Sequence, residues 1–217
     1  MTTAQDLAIV AAELTPDRTV EQGELSLALA GAEVLDLVEA GALAVDGDRL
    51  LPGSQVRTGE RLLDEAAAAL IRQEPHESVE DWLWRRGQGL FTAYADDLAR
   101  IGLTTRQPSR WDRLRTGRTA PTTPTAATTP TAATASTAAS AARHRAEGRW
   151  SAGEPVLAAL ASAAGLRAEP VEDTEELAGD AVAAVLAAVG GAVQELQAVR
   201  QRKAIEDAAF DNVWRGY

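Results

Sequence analysis

The chain has 217 residues, of which 46% are hydrophobic, and a formal net charge of −11 at pH 7. It contains no cysteine, which excludes disulfides, thiolate catalysis and cysteine-ligated metal sites. Length and apolar content are sufficient for one hydrophobic core, so we predict a single domain over residues 1–217. The net negative charge repels phosphate at long range, so we predict no nucleic-acid partner.

Neither end of the chain carries a segment that predicts export or membrane insertion. The first residues, MTTAQDLAIVAAELTPDRT, lack a basic region and a small-residue cleavage site after an apolar run. The most apolar segment, AVAAVLAAVGGAV at 181–193, is shorter than the roughly 20 residues needed to cross a bilayer. We therefore expect a cytoplasmic protein without a transmembrane segment, whose contact with the inner membrane face would be peripheral.

The first strong pattern is helical, in ELSLALAGAEVLDLVEAG at 24–41. Apolar residues repeat at spacings of three and four on two flanks, which predicts a largely buried helix. Gly31 in its middle predicts the close approach of another helix, and Gly41 predicts its C-terminal cap. The Asp-Gly pair in LAVDGDRLL predicts a β-hairpin near 43–51, since these residues tolerate the positive φ of a tight turn.

Three shorter helices are predicted next. In RTGERLLDEAAAALIRQ an apolar stripe runs as far as Ile71, with Thr58 as the N-terminal cap. Ser78 followed by Asp81 predicts the cap of a helix in VEDWLWRR. Apolar residues at helical spacing in LFTAYADDLAR predict the third helix.

Residues 119–142, TAPTTPTAATTPTAATASTAASAA, form a low-complexity segment without a large apolar side chain. Such a segment cannot offset the entropy of ordering, so we predict a disordered loop whose last third turns helical. After it, EPVLAALASAAGL predicts a helix capped by Gly165. Acids between 169 and 180, followed by bases at 200–203, favour the macrodipole of one long C-terminal helix, with a break at the Gly-Gly pair 190–191 as an alternative.

Several of these segments together resemble, in order and spacing, the bacterial branch of the Golgi phosphoprotein 3 family. The resemblance is carried by AGAEVLDLVEAGALAVDGDRLL, RTGERLLDEAAAAL, ESVEDWLWRRG, LARIGLTTR and VLAALASAAGL, and it covers most of residues 20–200. It implies an all-α fold, a compact multi-helix domain around a central helical bundle, with small β-hairpins near 43–51 and 101–118. It also implies a non-enzymatic peripheral membrane protein that binds phosphatidylinositol 4-phosphate and links membranes to cytosolic partners.

The head-group pocket that the resemblance implies is not reproduced in this sequence. That pocket needs one tryptophan and three arginines, since guanidinium groups hold a phosphomonoester by paired hydrogen bonds beside an aromatic wall. Other residue types stand at the corresponding positions, which fall near Glu21, Ala30, Gln88 and Phe91. Arg85 and Arg86 lie about one helical turn from the last two positions and are kept as candidates for anion binding.

The strongest candidate site is a basic segment within this acidic chain. Between Arg100 and Arg118 there are six arginines and one acid around a tryptophan, where the resemblance places the second β-hairpin. Trp111 would enter the interface of a membrane while the arginines pair with lipid phosphates. The predicted lipid- or anion-binding residues are Arg85, Arg86, Arg106, Arg110, Trp111, Arg113 and Arg115.

These residues predict an anionic lipid head group as the partner. The alternatives are that the arginines pair with the protein's own acidic C-terminal helix, that they only solvate a loop, or that they bind another protein. Self-association through the 101–118 hairpin is a further expectation.

Nothing in the sequence predicts catalysis, a metal site or a cofactor. Glu33, Asp36 and Glu39 lie at a spacing of three on one helix, and without a histidine they are predicted to form a solvated face. His76 and His144 are predicted to be loop residues without a catalytic partner.

Two other observations bear on function. Trp82 and Trp84 cannot share a helix face at a spacing of two, so we predict one in the core and the other on the surface or in a pocket wall. A helix followed by a hairpin over 25–51 would also fit a winged-helix DNA binder, although its acidic residues oppose phosphate contact. The remaining alternative is a cytosolic protein–protein scaffold without a lipid ligand.

Overall fold

The computed structural model describes residues 2–14, 20–103, 130–167 and 179–215, and this part of the chain is mostly helical. The helices are α1 (Thr3–Ile9), which runs on into a π-helical turn (Val10–Leu14), α2 (Gln22–Glu39), α3 (Arg61–Ala69), α4 (Val79–Arg86), α5 (Leu90–Arg100), α6 (Pro130–Ala152), α7 (Pro155–Ala163) and α8 (Asp180–Arg215). Strands β1 (Leu43–Asp46) and β2 (Arg49–Pro52) form an antiparallel pair. The predicted all-α class is confirmed.

Helix α2 is the centre of the fold. Every residue from Glu24 to Leu37 is buried, and α1, α3, α4, α5, α7 and α8 all contact this helix. The glycine in its middle lets α8 approach, because a Cβ placed on Gly31 would lie only 2.4 Å from Cγ2 of Val189. The predicted buried helix and the predicted reason for its glycine are both confirmed.

The predicted hairpin at 43–51 is also confirmed. Its register joins Asp46 to Arg49 across the turn, and Gly47 has the positive φ, +58°, that such a turn requires. Leu50 turns into the core and is 1% exposed. The chain leaves α2 through Gly41, whose φ of +70° is that of a helix C-terminal cap, as predicted.

Both ends of α3 differ from the prediction. Thr58 does not cap the helix, because its backbone N–H and its hydroxyl both donate to Oδ1 of Asp64, at 2.7 and 2.8 Å, and the helix begins only at Arg61. The helix ends at Ala69, since Leu70 is already extended with ψ of 132°. Ile71 therefore lies outside the apolar stripe and is 44% exposed.

Helices α4 and α5 follow the prediction. The hydroxyl oxygen of Ser78 accepts a hydrogen bond from the backbone N–H of Asp81 at 3.0 Å, which is the predicted cap. Tyr94 and Leu98 form the buried side of α5. Together the two helices cover one side of α2.

The C-terminal half is a set of three helices. Helix α6 begins at Pro130, so the predicted helical last third of the 119–142 segment is confirmed, but the helix starts before that third and the loop predicted for the residues just after 130 is wrong. Residues 119–129 lie outside the described part of the chain. Gly165, with φ of +76°, follows α7 as predicted. Helix α8 runs without a break through the glycine pair at 190–191. The acidic residues at 169–176 and the 101–118 hairpin beyond residue 103 fall outside the described part of the chain.

Helix α8 is also notable for its length and apolar composition. Its stretch Asp180–Ala208 is long and apolar enough to cross a membrane. An 18-residue window within it has a mean hydropathy of 1.6, and 22% of that window is buried inside the protein. This measure is weak evidence for insertion, because a core helix of a globular protein meets it too, and α8 packs against α2, α4 and α7. The absence of a transmembrane segment stays a prediction.

Candidate functional site

Arg85 is the first of the two described arginines in the predicted anion site. Its guanidinium forms a bidentate pair with the nearly buried carboxylate of Glu77, Nε to Oε1 at 2.7 Å and Nη2 to Oε2 at 2.6 Å. It also lies over the Trp82 ring, 5.1 Å from the ring centroid. The hydrogen bond and charge of Glu77 raise the pKa of Arg85. Arg85 is thus held at the surface by the chain's own carboxylate.

Arg86 points in the opposite direction, into the protein. Its Nε and Nη2 donate to the two oxygens of Glu33 at 2.7 and 2.9 Å, and Nη2 also donates to the carbonyl of Leu62 at 2.9 Å. The Tyr94 hydroxyl donates to Glu33 at 3.2 Å. Burial alone would lower the pKa of Arg86, but the hydrogen bond and charge of Glu33 outweigh burial and raise it. This arginine joins α4 to α2.

Asp36 makes a second buried polar contact one turn further along α2. Its two carboxylate oxygens accept hydrogen bonds from the backbone N–H groups of Thr3 and Ala4, at 2.7 and 2.9 Å. These groups belong to the first turn of α1, where N–H groups lack helical partners and a negative charge is favoured. Burial raises the pKa of Asp36 to about 6, despite the hydrogen bonds that oppose the shift. Asp36 therefore fixes α1 against α2.

The prediction of a solvated acidic face on α2 was therefore wrong for two of its three members. Glu33 and Asp36 are 0% and 4% exposed, and only Glu39 is exposed. Burial raises the pKa of Glu33, while Arg86 opposes that shift. The sequence did contain a signal for this burial, since apolar residues occupy both flanks of the helix and leave no polar face on which the acids could lie.

The two tryptophans of α4 separate as predicted. Trp82 is fully buried and its indole N–H donates to the carbonyl of Ala30 at 3.3 Å. Trp84 is half-buried and forms part of the wall of a cavity of about 320 Å³. The cavity lies at the N-terminal end of α2, between this helix, the α4–α5 junction and α8. Its lining residues are Gln22, Gly23, Ser26, Leu27, Trp84, Gly87, Gln88, Gly89, Phe91, Thr92 and Leu196.

We call this space the Trp84 cavity. The cavity lies between the start of α2, next to Glu21, and the residues Gln88 and Phe91. These are three of the positions at which the resemblance implies a head-group pocket. Its described lining holds no arginine or lysine, and its polar side chains are amides and hydroxyls. The nearby Arg200 of α8 forms ion pairs with two acids: its Nη1 lies 3.5 Å from Oε2 of Glu21 and 3.3 Å from Oε1 of Glu24. The cavity therefore offers an aromatic wall and neutral donors but no free cation for a phosphomonoester.

A second cavity, of about 410 Å³, lies beside α3 and has a different character. Arg57 and Arg72 line it together with Gln55, Val56, and Asp64, Ala67 and Ala68 of α3. Both arginines are exposed, and neither has an ion-pair partner among the described residues. This cavity was not predicted from the sequence, because its arginines are 15 residues apart and share no motif.

The remaining predicted site residues are Arg106, Arg110, Trp111, Arg113 and Arg115, and all of them lie outside the described residues. Their role stays a prediction.

The described chain assembles no group of three or more histidine, aspartate and glutamate side chains that could hold a metal ion. The prediction of a loop position was wrong for His144, which lies within α6, where its exposed Nδ1 is 3.4 Å from Oε2 of Glu147. His76 does lie in a loop but is half-buried. Helix α2, which a winged-helix arrangement would need as its recognition helix, is buried along its length and cannot enter a DNA groove.

These features define a class of protein: an all-helical domain wrapped around one buried central helix, with an aromatic-walled cavity at that helix's N-terminal end. The chain belongs to the Golgi phosphoprotein 3 (GPP34) family, whose model matches residues 4–208. The resemblance found in the sequence is thereby confirmed, and the family is one of non-enzymatic adaptor proteins. No curated protein and no solved structure gives a significant match to the chain.

Proposed function

We propose that this protein is a peripheral membrane adaptor that binds anionic lipid on the cytoplasmic face of a membrane. The binding residues are Arg106, Arg110, Trp111, Arg113 and Arg115. The ligand is a phosphorylated head group, of which phosphatidylinositol 4-phosphate is the candidate that family membership suggests. A cytosolic protein partner without any lipid is the competing function.

The distribution of charge is the observation that carries this proposal. In the described chain most arginines already face a carboxylate of the same chain. These are Arg49, Arg61, Arg85, Arg86, Arg100, Arg143, Arg145, Arg149 and Arg200. The segment that follows Arg100, residues 101–118, has five arginines and one acid and so has no such balance within its own sequence.

A local cationic segment can bind an anionic membrane although the whole chain is negative. Each basic residue near such a surface contributes about 1 kcal/mol, and charges further than about 10 Å are screened at ordinary ionic strength. The negative body of the protein therefore opposes attachment only weakly. The tryptophan adds an apolar anchor at the level of the head groups.

The Trp84 cavity is not the phosphate site in this proposal. A doubly charged phosphate that loses water in a cavity without a cation would be poorly compensated. Arg85 and Arg86 cannot supply that charge without leaving Glu77 and Glu33 unpaired. We therefore assign recognition of the head group to the arginines of the 106–115 segment.

Flotation with vesicles tests the proposal. The full chain is mixed with vesicles of phosphatidylcholine alone, with added phosphatidylserine, or with added phosphatidylinositol 4-phosphate. We expect flotation only with the two anionic mixtures. The variant Arg110→Ala/Trp111→Ala/Arg113→Ala should bind at least roughly 30-fold more weakly, which corresponds to two lost charges alone.

The variant Arg57→Ala/Arg72→Ala is the matched control. It removes the same number of positive charges from two exposed arginines for which the described residues provide no ion-pair partner, and it should float like the wild type. If the control loses binding and the triple variant does not, the site is assigned to the wrong segment. If no vesicle floats the wild-type protein, lipid binding is refuted and the scaffold function takes its place.

A further inference from the structure

The cavity of about 410 Å³ beside α3 contains two arginines that form no ion pair with any residue the structure describes. We call it the α3 cavity. In a chain with a net charge of −11, carboxylates outnumber the bases, and most described arginines face one of them. Arg57 and Arg72 instead share the lining of one cavity. Two like charges on one lining repel each other, and an anion between them removes that cost.

Both guanidinium groups keep hydrogen-bond donors for a ligand. Nη1 of Arg72 donates to the Gly53 carbonyl at 3.0 Å, which leaves its other N–H groups without an acceptor in the described chain. The side chain of Arg57 donates no hydrogen bond to any described residue. A guanidinium presents five N–H donors in a planar fork that matches the oxygens of a carboxylate or a phosphate. The cavity therefore supplies directed donors for an oxyanion.

The backbone that carries the two arginines is fixed by the fold. The loop 53–60 is held by Thr58, whose backbone N–H and hydroxyl both donate to Oδ1 of Asp64. On the other side of α3, Leu70 is 6% exposed and anchors the chain two residues before Arg72. A ligand therefore needs to order little backbone, and such ordering is one of the costs of association.

The rest of the lining restricts the kind of anion. Asp64 shares the lining with the arginines, and the hydrogen bonds of Thr58 together with the charge of Arg57 lower its pKa. It is ionised at neutral pH and opposes a ligand with more negative charge than the two arginines can neutralise. The volume lies within the range of small-ligand sites. Apolar surface for a carbon skeleton comes from Val56, Ala67 and Ala68.

The charges around the cavity favour a small ligand over a membrane surface. Between residues 53 and 75 three arginines are accompanied by four acids, which are Glu60, Asp64, Glu65 and Glu74. A flat anionic surface would meet these acids together with the arginines. A small anion inside the cavity contacts only the lining, where the two arginines outnumber the one acid.

We propose that the α3 cavity binds a small water-soluble organic anion with one or two carboxylate or phosphate groups. The oxyanion lies between Arg57 and Arg72, and the carbon skeleton lies against Val56 and the alanines of α3. The Gln55 amide provides a further donor for a ligand oxygen. The proposal is independent of the lipid-binding function, because the cavity shares no residue with the 106–115 segment.

Isothermal titration calorimetry of the full chain tests the site, with succinate and glycerol 3-phosphate as separate probes. Low ionic strength is used, because salt screens exposed arginines. We expect saturable binding at one site per chain for at least one probe, and none for succinamide, which keeps the skeleton of succinate without its charges. If neither probe binds, or if succinamide binds as well as succinate, the proposal is overturned.

Substitutions of single arginines locate the anion. Arg57→Gln and Arg72→Gln should each weaken probe binding about tenfold, since each removes a charge-assisted contact. The matched control is Arg202→Gln, which removes the same charge from an exposed arginine of α8 outside the cavity. It should bind within about twofold of the wild type. Equal weakening by all three variants would mean that only the net charge attracts the probe, and the site would be refuted.

A substitution that tightens binding separates the site from damage to the fold. Asp64→Asn removes the opposing charge, while its amide oxygen can still accept the hydrogen bonds of Thr58. We expect succinate to bind about threefold more tightly to this variant. A variant that merely disturbs the loop would bind more weakly. Unchanged or weaker binding would place the anion away from Asp64 and would contradict the proposed site.

A phosphorylated lipid head group offers the same oxyanion chemistry, and vesicle flotation distinguishes the two sources. The variant Arg57→Ala/Arg72→Ala should lose binding of the soluble probes and still float with anionic vesicles like the wild type. If this variant loses flotation as well, the cavity binds a lipid head group, and the assignment to a soluble anion is wrong.

Discussion

Removal of the Arg86 guanidinium tests the polar contacts that hold α4 to the central helix. We consider Arg86→Met, which keeps the length of the side chain but deletes its charge and its donors. Glu33 is 0% exposed and takes both of its strong hydrogen bonds from Arg86. The variant leaves this carboxylate with the Tyr94 hydroxyl alone.

The expected loss is about 3–5 kcal/mol of the free energy of unfolding at pH 7, which is the usual cost of stranding a buried charge. The same reasoning predicts how the stability of the variant changes with pH. Without Arg86 the pKa of Glu33 rises further, so the folded state binds a proton that the unfolded state releases above about pH 4.3. The variant should regain stability as the pH falls from 7 to 5.

Urea denaturation followed by tryptophan fluorescence measures this effect, with the wild type, the two single variants and the double variant Glu33→Leu/Arg86→Met. The double variant removes both charges, so its free energy of unfolding should lie within about 2 kcal/mol of that of the wild type. The remaining difference comes from the Leu62 carbonyl and the Tyr94 hydroxyl, which lose their hydrogen-bond partners. The reasoning is refuted if Arg86→Met costs less than about 1 kcal/mol at pH 7, or if the double variant is as unstable as Arg86→Met.

Two further predictions concern α2. Gly31→Ala should lower the free energy of unfolding by about 1–2 kcal/mol, because the added methyl group would lie 2.4 Å from Cγ2 of Val189 and this clash outweighs the gain in helix propensity. In chemical denaturation, the double variant Gly31→Ala/Val189→Ala should lose less free energy of unfolding than the sum of the losses of the two single variants. Asp36 has a pKa of about 6 in the folded protein, above its usual value, so its own contribution favours the folded state most below about pH 4 and declines as the pH rises through 6. The stability of the wild type relative to Asp36→Asn should accordingly fall by about 2 kcal/mol between pH 4 and pH 7, and a pH-independent difference in urea midpoints would contradict the assignment.

Local patterns were sufficient to predict most of the elements. The central helix followed from apolar residues on two flanks, the hairpin from its Asp-Gly turn, and the start of α4 from Ser78 and Asp81. These features depend on residues within one or two turns of each other. The boundaries of α3 were predicted poorly, because Thr58 can either cap a helix or bond to Asp64, and the sequence does not distinguish the two.

The polar contacts of the core could not be predicted in the same way. Arg86 and Glu33 are 53 residues apart in the chain, and Asp36 meets backbone groups of α1 that carry no side-chain signature. Their pairing depends on how α1 and α4 are placed around α2, which periodicity does not specify. The absence of basic residues at the positions that line the Trp84 cavity could be predicted from the sequence. The cavity itself could not, because its walls come from α2, the α4–α5 junction and α8, which only the folded structure brings together.

The position of α2 has a consequence for how the protein is made. The first described turns of the chain and its last long helix both pack on α2, and Glu24 accepts a hydrogen bond from Gln197, 173 residues later. While the chain is still being synthesised, a ribosome-bound fragment therefore carries this apolar helix without its cover until α8 has emerged. Such nascent fragments expose apolar surface, which favours aggregation until α8 packs on α2.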